Sequence, residues 1–453
     1  MYTEGYQDCL AYIDAYWDQI IRKPARRKID HHVVSIPYTY FVPNNKKFSY
    51  IYYWDSYFMF RGLIGTKREW LIRDMVKNFT YLFKKYQIIP NFNAPASMGR
   101  SQPPFFTSMI LDAMSIPPHI RGHRAKLDKL LPRINKLIME NWTRHAIATA
   151  KKEYFHVWID PYTFYNHRVE GYTLARYGDR DVGYAHSSEL ESGWDFTSRF
   201  YNRCNEFFPI DLNVLLHKYE DDFSFVSSLL HDEEDALFWK RKAVERQQEV
   251  QKLMWNEEKG FFFDYNYLYQ RQSNFLSLAG FVPLWGGIAT EEQAKKVREK
   301  LPLFETDHGL TITAKESLAP PLDLSSIPEQ YRVGIEEILK PKQWDYPHIW
   351  PPVEYLAVVG LLRYGFVDDA KRIMQKSLAM QAQVFRKHHA FFEKIDGVTG
   401  KRAGDFHYEN QPGFGWTSAV FFRYVKILDF LEEGNEPFLP SQASPPFTLA
   451  FPT

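Results

Sequence analysis

The stretch LIRDMVKNFTYLF, residues 71–83, sets Leu71, Met75, Phe79, Leu82 and Phe83 at three- and four-residue steps. That spacing is the period of a helix with one apolar face. The same period runs through Leu10, Ile13, Trp17, Ile20 and Ile21, and through Leu127, Leu130, Leu131, Ile134, Leu137, Ile138 and Trp142. Further stripes cover 214–230, 236–253, 294–301, 353–362, 370–385 and 420–431. Alternating, strand-like runs are few and short, GFFFDYNYLY at 260–269 being one. The expectation is an all-α chain.

Between the helical stripes lie long connections, at roughly 33–57, 87–107, 155–200, 302–352 and 389–416. Connections beyond about 12–15 residues are usually functional or disordered. These are too rich in aromatics for plain linkers. No clean linker and no fixed repeat is visible, so one body over residues 1–453 is expected.

Composition narrows the function. Of 453 residues, 45% are hydrophobic and 25% charged, ordinary for a globular protein, whereas 17% are aromatic. Aromatic faces build cores, but they also stack on sugars and bases. A net charge of +1 supplies no global field for nucleic acid or an anionic membrane, so neither is expected as a partner. The basic run RKPARRK at 22–28 reads as a solvated helix end or linker. Two cysteines, Cys9 and Cys204, make no disulfide framework and no zinc motif. The first residues carry acids and do not read as a secretory signal, and no run approaches the ~20 apolar residues that span a bilayer. A cytoplasmic location is the expectation.

Trp-Asp occurs four times, at Trp17-Asp18, Trp54-Asp55, Trp194-Asp195 and Trp344-Asp345. The first belongs to a helical stripe and reads as structure. The others sit in aromatic loops, where a carboxylate against Trp is poorly solvated and its neutral form is favoured. Such an Asp either caps a turn, pairs with an Arg, binds substrate hydroxyls, or donates a proton. Around these pairs lie NKKFSYIYYWDSYF, PNFNAPASMGRSQPPFF, NHRVEGY and PGFGWTS. Aromatic faces match the apolar faces of sugar rings, and Asp, Asn, Arg and Gln match their hydroxyl pairs. A carboxyl pair would supply the acid and base of glycoside hydrolysis. Phosphate loops, the Gly-x-Ser-x-Gly elbow and His-Glu-x-x-His are missing from the sequence. Adjacent His388 and His389 do not share a face, so no metal site is expected there.

Several blocks, in order, resemble the trehalase family of glycoside hydrolases. FVPNNKKFSYIYYWDSYF (41–58) is similar to its first signature and QWDYPHIWPP (343–352) to its second. IPNFNAPASMGRSQPPFF (89–106), ESGWDFTSRF (191–200), FFEKIDGVTG (391–400) and GFGWTSAV (413–420) match other blocks. The resemblance covers roughly residues 35–430 and implies an (α/α)6 barrel, a toroid whose long loops form a pocket at one end. It implies an inverting mechanism, with Asp195 as general acid and Glu393 as general base. Their carboxyls would stand about 6.5–9.5 Å apart to admit a water. The positions that match sugar-binding residues are Trp54, Asp55, Asn91, Arg100, Ser101, Gln102, Arg168, Glu170 and Gly193. Phe48, Tyr52, Trp344 and Trp350 would line the pocket.

The departures fall on substrate contacts. Lys47 stands where the family has Arg, without its planar fork. The Arg-Pro-Glu-Ser-Trp block reads Arg168-Val169-Glu170-Gly171-Tyr172, and Gly-Trp becomes Ile349-Trp350. In RAGDFHYENQP (402–412) the family's binding Glu aligns with His407, or with Glu409 after a short shift. An extra stretch at about 317–340 would form a small lid. The expected function is inverting hydrolysis of a small α-glucoside, foremost α,α-trehalose to two glucoses. The alternatives are a related α-glucosidase for another small glucoside and a non-hydrolysing sugar-binding homologue. No metal or organic cofactor is implied, and the expected partner is a small sugar substrate.

Overall fold

A computed structural model describes residues 1–24, 32–116, 131–160, 165–178, 185–318, 341–405 and 408–435. Among the described residues, twelve principal helices follow one another. They are α1 (Gln7–Ile20), α2 (Tyr53–Phe60), α3 (Trp70–Tyr86), α4 (Phe106–Ser115), α5 (Leu131–Glu153), α6 (Ile210–Leu229), α7 (Glu233–Met254), α8 (Val282–Gly286), α9 (Glu291–Arg298), α10 (Pro351–Arg363), α11 (Val367–His388) and α12 (Gly415–Glu432). The even-numbered helices pack in sequence: α2 on α4, α4 on α6, α6 on α8, α8 on α10, α10 on α12, and α12 back on α2. That closes a ring. The odd-numbered helices lie outside it, α1 on α12, α3 and α5 on α4, α7 on α6, and α11 on α10 and α12. The fold is the expected (α/α)6 barrel.

Burial separates the two layers. In α3, Leu71, Ile72, Met75, Val76, Phe79, Leu82 and Phe83 are buried, while Lys84 and Lys85 sit in the last turn beside the negative end of the helix dipole. In α2 all eight residues are buried, and in α4 Phe106 through Ala113 are. A helix with neighbours all round has no polar face to show. Thus the outer stripes at 10–21, 71–83, 236–253 and 370–385 are legible in sequence, as are the inner ones at 214–230, 353–362 and 420–431, whereas α2, α4 and α8 lie in stretches without a periodic signal. Leu127 and Leu130 lie outside the described residues, as does most of the extra stretch at 317–340. Outer helices start on local chemistry: Thr290 and Gln293 form a reciprocal capping box on α9, and Asp232 accepts from the Asp235 amide at the start of α7.

Strands are two-residue pieces that tie the loops. Residues 261–262 pair with 255–256, and 265–266 join 207–208 and 271–272, all within or beside the run read as strand-like. Ile349 faces Ile395 and His348 faces Asp396 in an antiparallel pair that bridges the loops before α10 and α12. Each inner helix is entered from a loop carrying quoted sequence blocks, so these loops gather at the ends where the inner helices begin. No helix among the described residues is long and apolar enough to cross a membrane.

Under those loops sits a buried ion cluster. Arg199, fully buried, donates to Asp211 through both terminal nitrogens at 2.9 Å, and to Asp264 at 2.8 and 2.6 Å. Its guanidinium also lies 4.6 Å from the centre of the Trp194 ring. Removing one partner of a buried ion pair leaves an uncompensated charge. Arg199→Met should therefore cost about 3–5 kcal/mol in urea unfolding, and an unchanged midpoint would refute that role.

Candidate active site

Asp195 sits on a turn that is unusually constrained. Gly193 has φ +74° and Phe196, on the other side, φ +58°. A Cβ at Gly193 would lie 2.7 Å from the Trp54 ring, so glycine is needed for both conformation and close approach. Asp345 holds the following residues: it accepts from Thr197 Oγ1 (3.1 Å), Ser198 N (2.9 Å), Ser198 Oγ (2.6 Å) and Lys342 N (2.8 Å). The third loop Trp-Asp is therefore a clamp between two loops. The Gln343 side-chain amide donates to the Asp195 carbonyl, and Trp344 N donates to the Phe196 carbonyl at 3.1 Å.

Glu393 is held from the opposite side. Its amide donates to Gln411 O (3.1 Å), and its carbonyl accepts from Trp416 Nε1 (3.0 Å). Its side chain is buried; Oε1 accepts from the Tyr408 hydroxyl at 2.9 Å, and Oε2 lies 3.6 Å from Lys394 Nζ. Among the described residues, Asp195 Oδ1 and Glu393 Oε2 are buried without a hydrogen-bond partner. Buried polar atoms are normally satisfied, so each exception calls for an explanation; others, such as Glu153 Oε2 and Gln381 Oε1, lie in the helical frame.

Burial acts on both acids, and their neighbours differ. Burial pushes the Asp195 carboxyl up to about 7, with Arg100 opposing and Glu189 and Glu393 adding to the rise. Burial also raises Glu393, but Lys394, the Tyr408 hydrogen bond and Lys47 pull it down. Asp55, buried, is raised by burial first and then by repulsion from Glu393 and Asp195. Tyr52 is raised by burial and by the charges of Asp55, Asp195 and Glu393, so it faces the same site.

Aromatics close the wall. Trp344 stacks on Trp350 at 3.7 Å and 9°, and contacts Trp54 and Trp194 at 5.7 and 5.5 Å. Trp350, fully buried, donates to the Gln343 carbonyl at 2.9 Å and backs Trp344. Phe48 meets Tyr52, Phe414 and Tyr408 edge-on at 5.6, 5.6 and 6.0 Å.

Other sequence-matched residues build the frame. Gln102 accepts from Trp54 N (3.1 Å), Asn91 N donates to Arg100 O (2.9 Å), and Ser101 N donates to Glu191 while its hydroxyl donates to Ile89 O. Arg100 acts on Asp195 through its charge. Arg168 and Glu170 are exposed on the 165–178 segment. Lys47 is exposed, its Nζ 4.9 Å from the Tyr408 ring centre. Glu409 is exposed, with Oε1 3.8 Å from Arg402, and His407 lies outside the described residues. Tyr408, Lys394 and Gln343 were not singled out from the sequence, although each adjoins a residue or pair that was. Among the described residues no cluster of three or more His, Cys, Asp or Glu could hold a metal ion.

The sequence profile of the trehalase family matches residues 3–429. The chain belongs to the trehalase family. It is similar to the neutral trehalase Nth1 of Saccharomyces cerevisiae, with 28% identity and a TM-score of 0.67, over 86% of this chain and 73% of that one. Two more distant structures share the fold. One is a mannosylglycerate hydrolase of Thermus thermophilus in complex with glucose (16% identity, TM-score 0.57, 86% of this chain and 95% of that one). The other is a rhamnosidase of a Bacillus species (13%, 0.53, 94% and 35%). This trehalase-family member is a glycoside hydrolase, and its substrate is a sugar. Gly193→Ala should destabilise it by about 1–3 kcal/mol and displace Trp54; wild-type stability together with wild-type kcat/KM would refute the close-approach requirement.

Proposed function

We propose that the protein is an inverting α,α-trehalase in one catalytic domain, with Asp195 as general acid and Glu393 as general base. The observation that carries this is a pair of buried carboxyls, each with an oxygen lacking a hydrogen-bond partner and each raised by burial, Asp195 to about 7 and Glu393 against the opposing pull of Lys394, Tyr408 and Lys47. A general acid must hold its proton near the working pH and a general base must not. Asp195 gives its proton to the glycosidic oxygen as the bond to the anomeric carbon breaks. Glu393 takes a proton from water, whose oxygen bonds to the opposite face of that carbon. One glucose leaves as the α anomer and the other forms as β. Asp55, raised by its neighbours, can donate to a sugar hydroxyl, and the tryptophan wall supplies an apolar face.

A second reading keeps the chemistry and changes the leaving group to that of another small α-glucoside. It is favoured by Lys47 in place of Arg and by Glu409, which turns to Arg402 instead of the pocket.

Trehalose hydrolysis followed by proton NMR at early times should show equal α- and β-glucose; α-glucose alone would mean retention and overturn the inverting assignment. Turnover of another α-glucoside with none of trehalose would select the second reading. Asp195→Asn and Glu393→Gln should each lower kcat by about 10²-fold or more, and full activity in either removes that residue from its role.

The pH dependence has a definite sign. Asp195 works protonated, so kcat/KM should fall as pH rises through about 7. Its folded-state pKa lies above the unfolded value near ~4, so the folded state binds the extra proton between those limits. Stability is lost as pH rises from about 4 to about 7. Asp195→Asn should therefore raise the thermal midpoint at pH 8 while abolishing turnover; a lowered midpoint would contradict the burial cost.

A further inference from the structure

Beside Glu393 runs the described stretch 408–412, and the side chain it brings to that carboxyl is not Glu409. Glu409 is exposed beside Arg402. Tyr408, one position earlier, turns inward and donates to Glu393 Oε1 at 2.9 Å. Its ring is braced from several directions. Lys47 Nζ lies 4.9 Å and Lys394 Nζ 5.0 Å from the ring centre, and Phe48 meets it edge-on at 6.0 Å. Burial and the charges of Glu393 and Asp195 hold the phenol well above its usual range, so it remains a proton donor.

We infer that Tyr408 is a positioning residue for Glu393, holding Oε1 so that Oε2 is presented to the attacking water, while its ring seats Lys47 at the pocket mouth. The inference rests on Glu393 being the general base. A carboxylate with one oxygen fixed has one orientation to offer, and Oε2, with Lys394 Nζ 3.6 Å away, is the oxygen without a hydrogen-bond partner among the described residues. A donor to the ionised form also favours that form. The titratable groups that face Glu393 are Lys394 and Lys47, which favour its ionisation, and Asp55, Asp195 and Tyr52, whose charged forms oppose it. Tyr408 is thus one of a few groups that favour the ionised form of a buried carboxyl beside two other acids.

Tyr408→Phe removes the hydroxyl and keeps the ring, its packing and both cation contacts. It should fold with a wild-type thermal midpoint, lose about 10-fold in kcat with KM nearly unchanged, and move the acidic limb of the kcat/KM profile up by about one pH unit. The direction follows from the base: without the donor Glu393 is protonated at higher pH, so the rise in activity starts later. Tyr408→Leu also removes the ring and should raise KM, as Lys47→Ala should. An activity-independent readout is the titration of side-chain 13C-labelled glutamate, with the Glu393 resonance assigned by its loss in Glu393→Gln. Its midpoint should move upward in Tyr408→Phe. An unmoved resonance and an unmoved acidic limb would overturn the inference while leaving Glu393 as base. Full activity in Glu393→Gln would instead overturn the base assignment, and the positioning role with it.

Discussion

A carboxyl inside a wall of tryptophans is held there against its own hydration. Taking it out of water favours the neutral form, and every acid added nearby favours it further. Asp55, Asp195 and Glu393 all feel burial as their largest influence, and each is raised by it. Inverting hydrolysis needs one acid neutral and its partner ionised, so uniform burial alone gives half of the requirement. Cations and a donor oppose that rise at Glu393, where Lys394, Tyr408 and Lys47 all favour the ionised form. Asp195 has Arg100 and a backbone hydrogen bond opposing its rise, and Glu189 and Glu393 add to it.

That difference is useful only if the loops hold still. The Asp195 loop is fixed by Asp345, whose carboxylate accepts four hydrogen bonds, and by Gln343, which donates to the Asp195 carbonyl. Gln343 also accepts from Lys394 Nζ at 3.4 Å, so one amide side chain links the backbone of the acid to the neighbour of the base. The antiparallel pair of 348–349 with 395–396 ties the loop of Gln343 to that of Glu393 further along. Beneath, Arg199 anchors the acid's loop to Asp211 at the start of α6 and to Asp264. Left-handed Gly193 and Phe196 are conformations that such a frame can impose.

The outer helices were legible because solvent writes a period on them: α3 is apolar on one side only. The inner helices α2 and α4 are buried all round, so Tyr53–Phe60 and Phe106–Ser115 carry no polar face from which a helix could be read. Loop blocks such as GWDF and QWDYP compensated, since their resemblance points to a barrel where periodicity is silent. The site was legible at the same level. Its aromatic and acidic members announce chemistry by type, but nothing in the dipeptide Trp-Asp separates Asp195, with a free oxygen, from Asp345, with every lone pair engaged in the frame. Tyr408 was missed for a related reason: a tyrosine between His407 and Glu409 looks like packing until the chain's path brings it to Glu393.

Two departures from the family pattern lie far apart in sequence, at Lys47 and in segment 402–412. They meet at one ring, since Lys47 Nζ rests over Tyr408. An ammonium is a compact point charge that sits over an aromatic face without needing the planar partners of a guanidinium. Placed there, it adds to the field at Glu393 from the pocket mouth, while Lys394 adds to it from the buried side. Both departures therefore converge on the surroundings of Glu393, where a cation over the Tyr408 ring and the Tyr408 hydroxyl together favour the ionised carboxylate.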